Sequence, residues 1–301
     1  MISPGERHRI IFGCGNFGGL GSSPSLRDKG DDRDRALALL DQARDLGLTR
    51  FDTANTYGGG VSETVLGEWL RAQGPMVRSG FQIATKVGNP HGAPPGEGPL
   101  SRGEIARHLD QSLRRLGVER IDLYYIHEFD PLTPLDETLA ALDLALAQGK
   151  FAAFGVSNAT LDDLESVLSL APEPLRRAFT HVQNEFNLLQ QRDLKAVIPR
   201  AQAEGLAYVA FSPLAGGLLS GKYQEGRAPD PGSRAGAAPD MYQHHLTPET
   251  FAAVADLRAW ASARAWSVPG AAVRFILETP GVDSLIIAPR SAEQFKAYAI
   301  G

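Results

Sequence analysis

The sequence contains a single cysteine, Cys14, in 301 residues. An internal disulfide is therefore excluded, and one thiol cannot build a cysteine-based zinc site. Long apolar runs are also missing, since none approaches the ~20 residues that a membrane-spanning helix needs. The opening Met-Ile-Ser-Pro-Gly-Glu-Arg-His-Arg has no apolar stretch of the kind a secretory signal carries. Positive charge is scarce as well, with 30 Lys and Arg against 35 Asp and Glu. The resulting net charge of −5 argues against nucleic acid or an anionic membrane as partner. The expectation is a soluble, cytoplasmic, mildly acidic protein whose oligomeric state the pattern leaves open.

Hydrophobic residues make up 43% of the chain, enough for a sizeable core. Short β-branched or aromatic runs alternate with longer amphipathic stretches. The runs are Ile10–Gly13, Arg50–Asp52, Phe81–Lys86, Ile121–His127, Phe151–Ser157, His181–Asn184, Leu206–Ser212 and Ser284–Ala288. Helical patterns fall at Asp34–Leu46, Ser62–Arg71, Arg102–Leu116, Leu135–Gln148, Leu161–Leu170, Asp193–Glu204 and Ala271–Glu278. In the third of these, Ile105, Leu109, Ser112, Leu113 and Leu116 share one face at helical spacing. About eight alternations imply parallel strands with crossover helices. A closed (β/α)8 TIM barrel fits the count and the length, with an open doubly wound sheet as the rival. No linker or composition break divides the chain, so residues 1–301 read as one domain. Two segments, Gly88–Gly103 and the Gly/Pro/Ala-rich Pro213–Pro248, read as long, structureless active-site loops.

Gly13-Cys14-Gly15-Asn16-Phe17-Gly18 spells G-x-G-x-x-G after the first strand. That pattern binds a dinucleotide in a Rossmann fold only where it opens a helix at once. Here Gly19-Leu20-Gly21-Ser22-Ser23-Pro24 follows, and the next helix is expected near Asp34, so the fingerprint is set aside. The adjacent His244 and His245 lack neighbouring carboxylates, and no metal site is expected.

In a (β/α)8 barrel the loops after the strands share one face, so strand ends are where chemistry collects. Asp52 ends the second strand, with Tyr57 in the loop beyond it; Lys86 and His127 end the third and fourth. Ser157-Asn158, Gln183-Asn184 and Phe211-Ser212 end the next three. A tyrosine hydroxyl near its reference pKa of ~10 exchanges protons poorly at neutral pH. An ammonium beside it favours the phenolate and lowers that value. Lys86 can supply the charge, Asp52 can hold Lys86, and His127 can orient a substrate carbonyl toward Tyr57. This is general acid catalysis, and it needs a hydride that no side chain supplies, so a cofactor must bring it. Ser157, Asn158 and Gln183 offer partners for a nicotinamide carboxamide, and Phe211 offers a flat face for the ring.

Phe51-Asp52-Thr53-Ala54-Asn55-Thr56-Tyr57-Gly58, followed by Ser62-Glu63-Thr64-Val65-Leu66-Gly67, resembles the aldo-keto reductase signature. So do Ala84-Thr85-Lys86, Asp122-Leu123-Tyr124-Tyr125-Ile126-His127, Gly155-Val156-Ser157-Asn158, Gln183-Asn184-Glu185 and Phe211-Ser212-Pro213-Leu214. The resemblance implies a (β/α)8 barrel that binds NADP(H) without a Rossmann domain, with NAD(H) as the alternative. It implies Asp52, Tyr57, Lys86 and His127 as a catalytic tetrad, Tyr57 giving the proton to an aldehyde or ketone. Cofactor contacts carried over are Gly15, Asn16 and Asp52, then Ser157, Asn158, Gln183 and Phe211. Further along they are Ser212, Pro213, Leu214 and Gly217, with Lys222 and Arg234 on the pyrophosphate. Ala288, Arg290 and Gln294 fall at the adenosine end, Arg290 where the family recognises a 2′-phosphate. Phe17, Tyr57, His127 and Phe129 are expected to line the substrate pocket. The chain departs from the family at Ala288, commonly Gly, and at Ala297-Tyr298, commonly Glu-Asn; a long C-terminal tail beyond Gly301 is absent, implying an open pocket. Other implied readings are oxidation of a sugar or alcohol with NAD(P)+, and a non-catalytic nucleotide-sensing subunit.

Overall fold

The computed structural model describes residues 2–27, 29–92 and 98–298. Part of the Gly88–Gly103 loop, residues 93–97, lies outside them, as does Gly301. Eight strands run parallel and close on themselves in chain order. They are β1 (Ile10–Gly13), β2 (Arg50–Asp52), β3 (Gln82–Val87), β4 (Ile121–Ile126), β5 (Phe151–Ser157), β6 (Phe179–Glu185), β7 (Ala207–Phe211) and β8 (Ser284–Ile287). The chain is a (β/α)8 barrel, and the open-sheet alternative is excluded by the β1–β8 pairing of Ile11 with Ile286.

Side-chain parity along each strand decides what faces where, because successive residues point to opposite sides. Phe12, Phe51, Ile83, Tyr124, Phe154, Val182, Tyr208 and Leu285 all join the main core between barrel and helices. Their neighbours therefore point into the barrel, where Ile11, Val209 and Ile286 form a separate cluster with Phe211 against it. The same parity turns Asp52, Lys86, His127, Ser157 and Gln183 inward. At Gly155 a Cβ would meet the inward Tyr125 ring at 2.4 Å, so only glycine fits beside it.

The helices cover the barrel for reasons visible in the sequence. Helix Arg102–Leu116 starts at Ser101, whose Oγ accepts from Glu104 N, and stops at Gly117, with φ of 65°. It buries Ile105, Leu109, Ser112 and Leu116. Helix Leu161–Leu170 opens with a capping box between Thr160 and Asp163. The cap is therefore Thr160, which frees Ser157 and Asn158 for other work. Helices Pro248–Ser262 and Ala292–Ala297 were not expected. In the first, alanines on the outer side blur the contrast with buried Val254 and Leu257; the second is too short for periodicity to register.

The Pro213–Pro248 segment is not structureless. It holds a 3-10 turn at Ala215–Ser220, short helices at Arg234–Ala237 and Pro239–Tyr242, and a turn at Gln243–His245. Leu218, Tyr223 and Ala235 give it an apolar cluster of its own, and Ala238 with Tyr242 packs on Leu20 and Leu26. The segment thus forms a strap from β7 across the barrel mouth to the loop after β1. That loop makes turns and a 3-10 turn at Pro24–Leu26, and the first helix begins only at Arg33. The glycine fingerprint therefore opens no helix. No helix among the described residues is long and apolar enough to cross a membrane.

Candidate active site

A cavity of about 650 Å³ opens where the strands end. Beneath it the Lys86 ammonium, with 0% of the residue exposed, donates to Asp52 Oδ1 at 2.5 Å, Thr53 O at 2.9 Å and Tyr57 Oη at 3.2 Å. Gln183 Nε2 donates to the other Asp52 oxygen at 2.9 Å. The Tyr57 and His127 rings meet edge to face with centroids 5.5 Å apart. Asp52, Tyr57, His127 and Gln183 line the cavity, and Lys86 lies directly below.

Electrostatics assign each group a protonation state. Burial works to lower Lys86, but Asp52 and Tyr57 beside it outweigh that, so its pKa is raised and the ammonium persists. For Tyr57 the net direction is upward, because burial outweighs the nearby Lys86 charge. This corrects the expectation that Lys86 leaves the tyrosine below its ordinary value: the ammonium only moderates the rise. Tyr57 is thus a phenol with a proton to give. Burial, then the Lys86 charge, holds His127 well below the usual histidine range. The imidazole is neutral, and its Nδ1 has no hydrogen-bond partner among the described residues. Cys14 is fully buried, and burial raises its thiol well above the ordinary value.

The residues expected to hold a cofactor converge on the same cavity. Gly15, Asn16, Ser157, Asn158 and Phe211 line it near the tetrad. The strap contributes Ser212, Pro213, Leu214, Gly217, Lys222 and Arg234, and the segment after β8 contributes Ala288, Arg290 and Gln294. Several of these also have protein partners that sequence alone did not reveal. Asn158 Nδ2 donates to His127 O at 2.9 Å. Arg290 Nε donates to Asp31 Oδ1 at 2.9 Å, a carboxylate with 1% of its side chain exposed. Asn184, at the end of β6, points outward and bonds Ala159 and Asp193.

The donor set fits a nicotinamide dinucleotide. Amide and hydroxyl groups and the flat Phe211 lie by the tetrad, and the cations Lys222, Arg234 and Arg290 lie on the β7 and β8 loops, where an anionic diphosphate and a further phosphate would need them. Backbone strain marks the same place. Asn158, Ser212 and Ala215 have φ of 54°, 55° and 45°, conformations that non-glycine residues hold only when the surroundings enforce them. At Gly216, with φ of 67°, a Cβ would meet Tyr242 Cε1 at 2.1 Å.

The strap is latched to the β1 loop. Arg234 Nη2 donates to Asn16 Oδ1 at 2.6 Å, and Asn16 Nδ2 reaches Ala288 O at 3.3 Å. Asn16→Ala removes one charge-assisted bond, valued at about 1.5 kcal/mol, and is expected to weaken binding of a nicotinamide dinucleotide roughly tenfold. Calorimetric titration of the variant checks this, and an unchanged Kd removes the latch.

Two pocket assignments do not hold. Phe17 is 1% exposed and packs against Phe12 at 6.1 Å, inside the core. Phe129 packs on the edge of that core and does not line the cavity. Their places are taken by Asn89 and Glu128, just past β3 and β4, and by Leu20, Leu26, Met241 and Tyr242. The first two were accessible to strand-end reasoning carried a residue or two further. The other four meet only because the strap crosses the mouth. Among the described residues no cluster of three His, Cys, Asp or Glu could hold a metal ion.

Comparison with known proteins places this arrangement. The family model described as the aldo/keto reductase family matches residues 9–299. The uncharacterized oxidoreductase YrpG of Bacillus subtilis (strain 168) is 34% identical over 298 residues, covering 96% of this chain and 85% of that protein. The L-glyceraldehyde 3-phosphate reductase of Escherichia coli (strain K12) is 33% identical over 290 residues, covering 93% and 80% respectively. Among solved structures, a glycerol dehydrogenase from Gluconobacter oxydans superposes with a TM-score of 0.78 at 26% identity, over 96% of this chain and 85% of that one.

Proposed function

Because the chain belongs to the aldo/keto reductase family, we propose that it reduces an aldehyde or ketone to the alcohol with NADPH, taking the proton from Tyr57. Members of that family are oxidoreductases of small carbonyl compounds and generally use a nicotinamide nucleotide. The observation that carries the proposal is the unbroken buried chain from Asp52 through Lys86 to the Tyr57 hydroxyl, with His127 edge-on to the tyrosine ring.

Bound reduced nicotinamide supplies a hydride to the carbonyl carbon. The chain's own groups handle the oxygen. Neutral His127 donates a hydrogen bond that orients and polarises the carbonyl. The Tyr57 O–H bond breaks as the new alcohol O–H forms, and the phenolate left behind sits 3.2 Å from the Lys86 ammonium. Asp52 keeps Lys86 charged and aimed, and Gln183 holds the far oxygen of Asp52. Ser157, Asn158 and Phe211 are proposed to seat the nicotinamide, Lys222 and Arg234 the diphosphate, and Arg290 a 2′-phosphate, which favours NADPH over NADH.

The test is NADPH and NADH oxidation over a panel of aldehydes, quinones, ketosteroids and keto sugars, with sugars and alcohols plus NADP+ or NAD+ in reverse. Glyceraldehyde 3-phosphate belongs in the panel because of the Escherichia coli relative. Faster oxidation than reduction at matched saturation reverses the assigned direction. Nucleotide binding without turnover on any carbonyl or alcohol replaces catalysis with a nucleotide-sensing role. The pH profile adds a second check. His127 is depressed well below ordinary histidine, so it stays neutral as pH falls through ~6.5. Reductive kcat is expected to show no inflection there. A loss of rate with that apparent pKa removes His127 from the neutral-donor role.

A further inference from the structure

The cavity is electrically lopsided. Its cations, Lys222, Arg234 and Arg290, all come from the loops after β7 and β8. In a closed eight-strand barrel, β3 and β4 stand opposite those strands. There the lining carries Asn89 and Glu128, one residue past His127. Asn89 Nδ2 donates to Glu128 Oε1 at 2.8 Å, which fixes the carboxylate, and Oε2 has no hydrogen-bond partner among the described residues. Asn89 Oδ1 in turn accepts from His91 N at 3.1 Å. The exposed His91 faces Glu128 and acts against the effect of burial, which raises the carboxyl. Residues 93–97 of the same loop are Ala-Pro-Pro-Gly-Glu and bring no basic side chain. The other carboxylate of the lining, Asp52, is neutralised by Lys86. Among the described lining residues, Glu128 is therefore the carboxylate that no lysine or arginine neutralises.

We propose that Glu128 is a specificity-determining residue that excludes phosphorylated and carboxylated carbonyls and restricts the substrate to uncharged or cationic ones, with Oε2 accepting a hydroxyl or ammonium of the substrate. The inference rests on the reductase reading above. Charge repulsion in a partly buried site acts as a selection against the wrong ligand. It also separates two anions by place, since cofactor phosphates meet cations across the barrel while an anionic substrate meets Glu128.

The test uses para-nitrobenzaldehyde and para-carboxybenzaldehyde, which have nearly the same shape and differ in charge. At saturating NADPH, kcat/KM is measured for both with the wild-type protein, Glu128→Gln and Glu128→Lys. Differences in intrinsic aldehyde reactivity cancel when the nitro-to-carboxy ratio is compared among the three. The ratio is expected to fall about tenfold in Glu128→Gln and about tenfold again in Glu128→Lys, mainly through KM for the carboxylate. A structural role alone gives no such charge-ordered series, and turnover of the nitro compound reports that each variant is folded. A ratio constant within about twofold across the series overturns the proposal. Absence of turnover by the wild-type protein across the whole carbonyl panel overturns the reductase function itself, and this inference with it.

Discussion

Tyr57→Phe is expected to cut NADPH-dependent carbonyl reduction by about 10³-fold while leaving NADPH affinity within about twofold. The substitution removes one oxygen and keeps the ring, so the edge-to-face contact with His127 and the packing against Gly15 remain. Lys86 loses only its 3.2 Å contact and keeps Asp52 and the Thr53 carbonyl. The carbonyl oxygen, however, then faces no donor able to release a proton, because His127 is neutral and Lys86 lies beneath the floor with its pKa raised. Stopped-flow NADPH oxidation and calorimetric NADPH titration separate the two quantities. Wild-type-like turnover in this variant sinks the mechanism. Loss of both binding and turnover shows instead that the hydroxyl supports the pocket.

Lys86→Met is expected to damage both activity and stability. Asp52 is 3% exposed, and without the ammonium its carboxylate keeps Gln183 but no countercharge. Breaking a buried ion pair on one side costs about 3–5 kcal/mol. For a chain of this length that corresponds to a fall in Tm of roughly 5–8 °C. Turnover should fall at least as far as in Tyr57→Phe, since the Tyr57 phenol, already raised by burial, loses the charge that opposes the rise. The double variant Asp52→Asn/Lys86→Met removes both charges together. It should recover most of the lost Tm, because a neutral buried pair carries no uncompensated charge, while activity stays lost. Recovery of activity along with stability contradicts a catalytic role for Lys86. Failure of the double variant to recover stability shows that packing, rather than charge, sets the cost.

Much of this site was readable one strand at a time. The alternation of short apolar runs and amphipathic stretches placed all eight strands within a residue or two, as at Ile10–Gly13 and Phe151–Ser157. The period of two along each strand then made Asp52, Lys86, His127, Ser157 and Gln183 inward-facing together, a local property of extended chain. Where local properties ended, so did the reading. Phe17 looked like a pocket residue because it follows β1, yet the loop doubles back and packs its ring at a tilt against Phe12. The strap looked structureless because its helices are short and one of its small apolar clusters joins residues more than two hundred positions apart, Leu20 and Ala238. Arg290 read as the partner of a 2′-phosphate, while the buried carboxylate it also meets, Asp31, lies 259 residues away.

Local pattern by itself determined that the chain has alternating strands and helices, that ionisable groups end successive strands, and that a tyrosine, lysine, aspartate and histidine sit at those ends. Barrel closure decided that these groups meet, which cations face which carboxylate across the cavity, and how the strap latches through Asn16 and Arg234. It also decided the charge state of Tyr57. A pKa is the sum of a burial cost and nearby charges of opposite effect, and spacing along a sequence reveals the neighbours but not the depth at which they are buried.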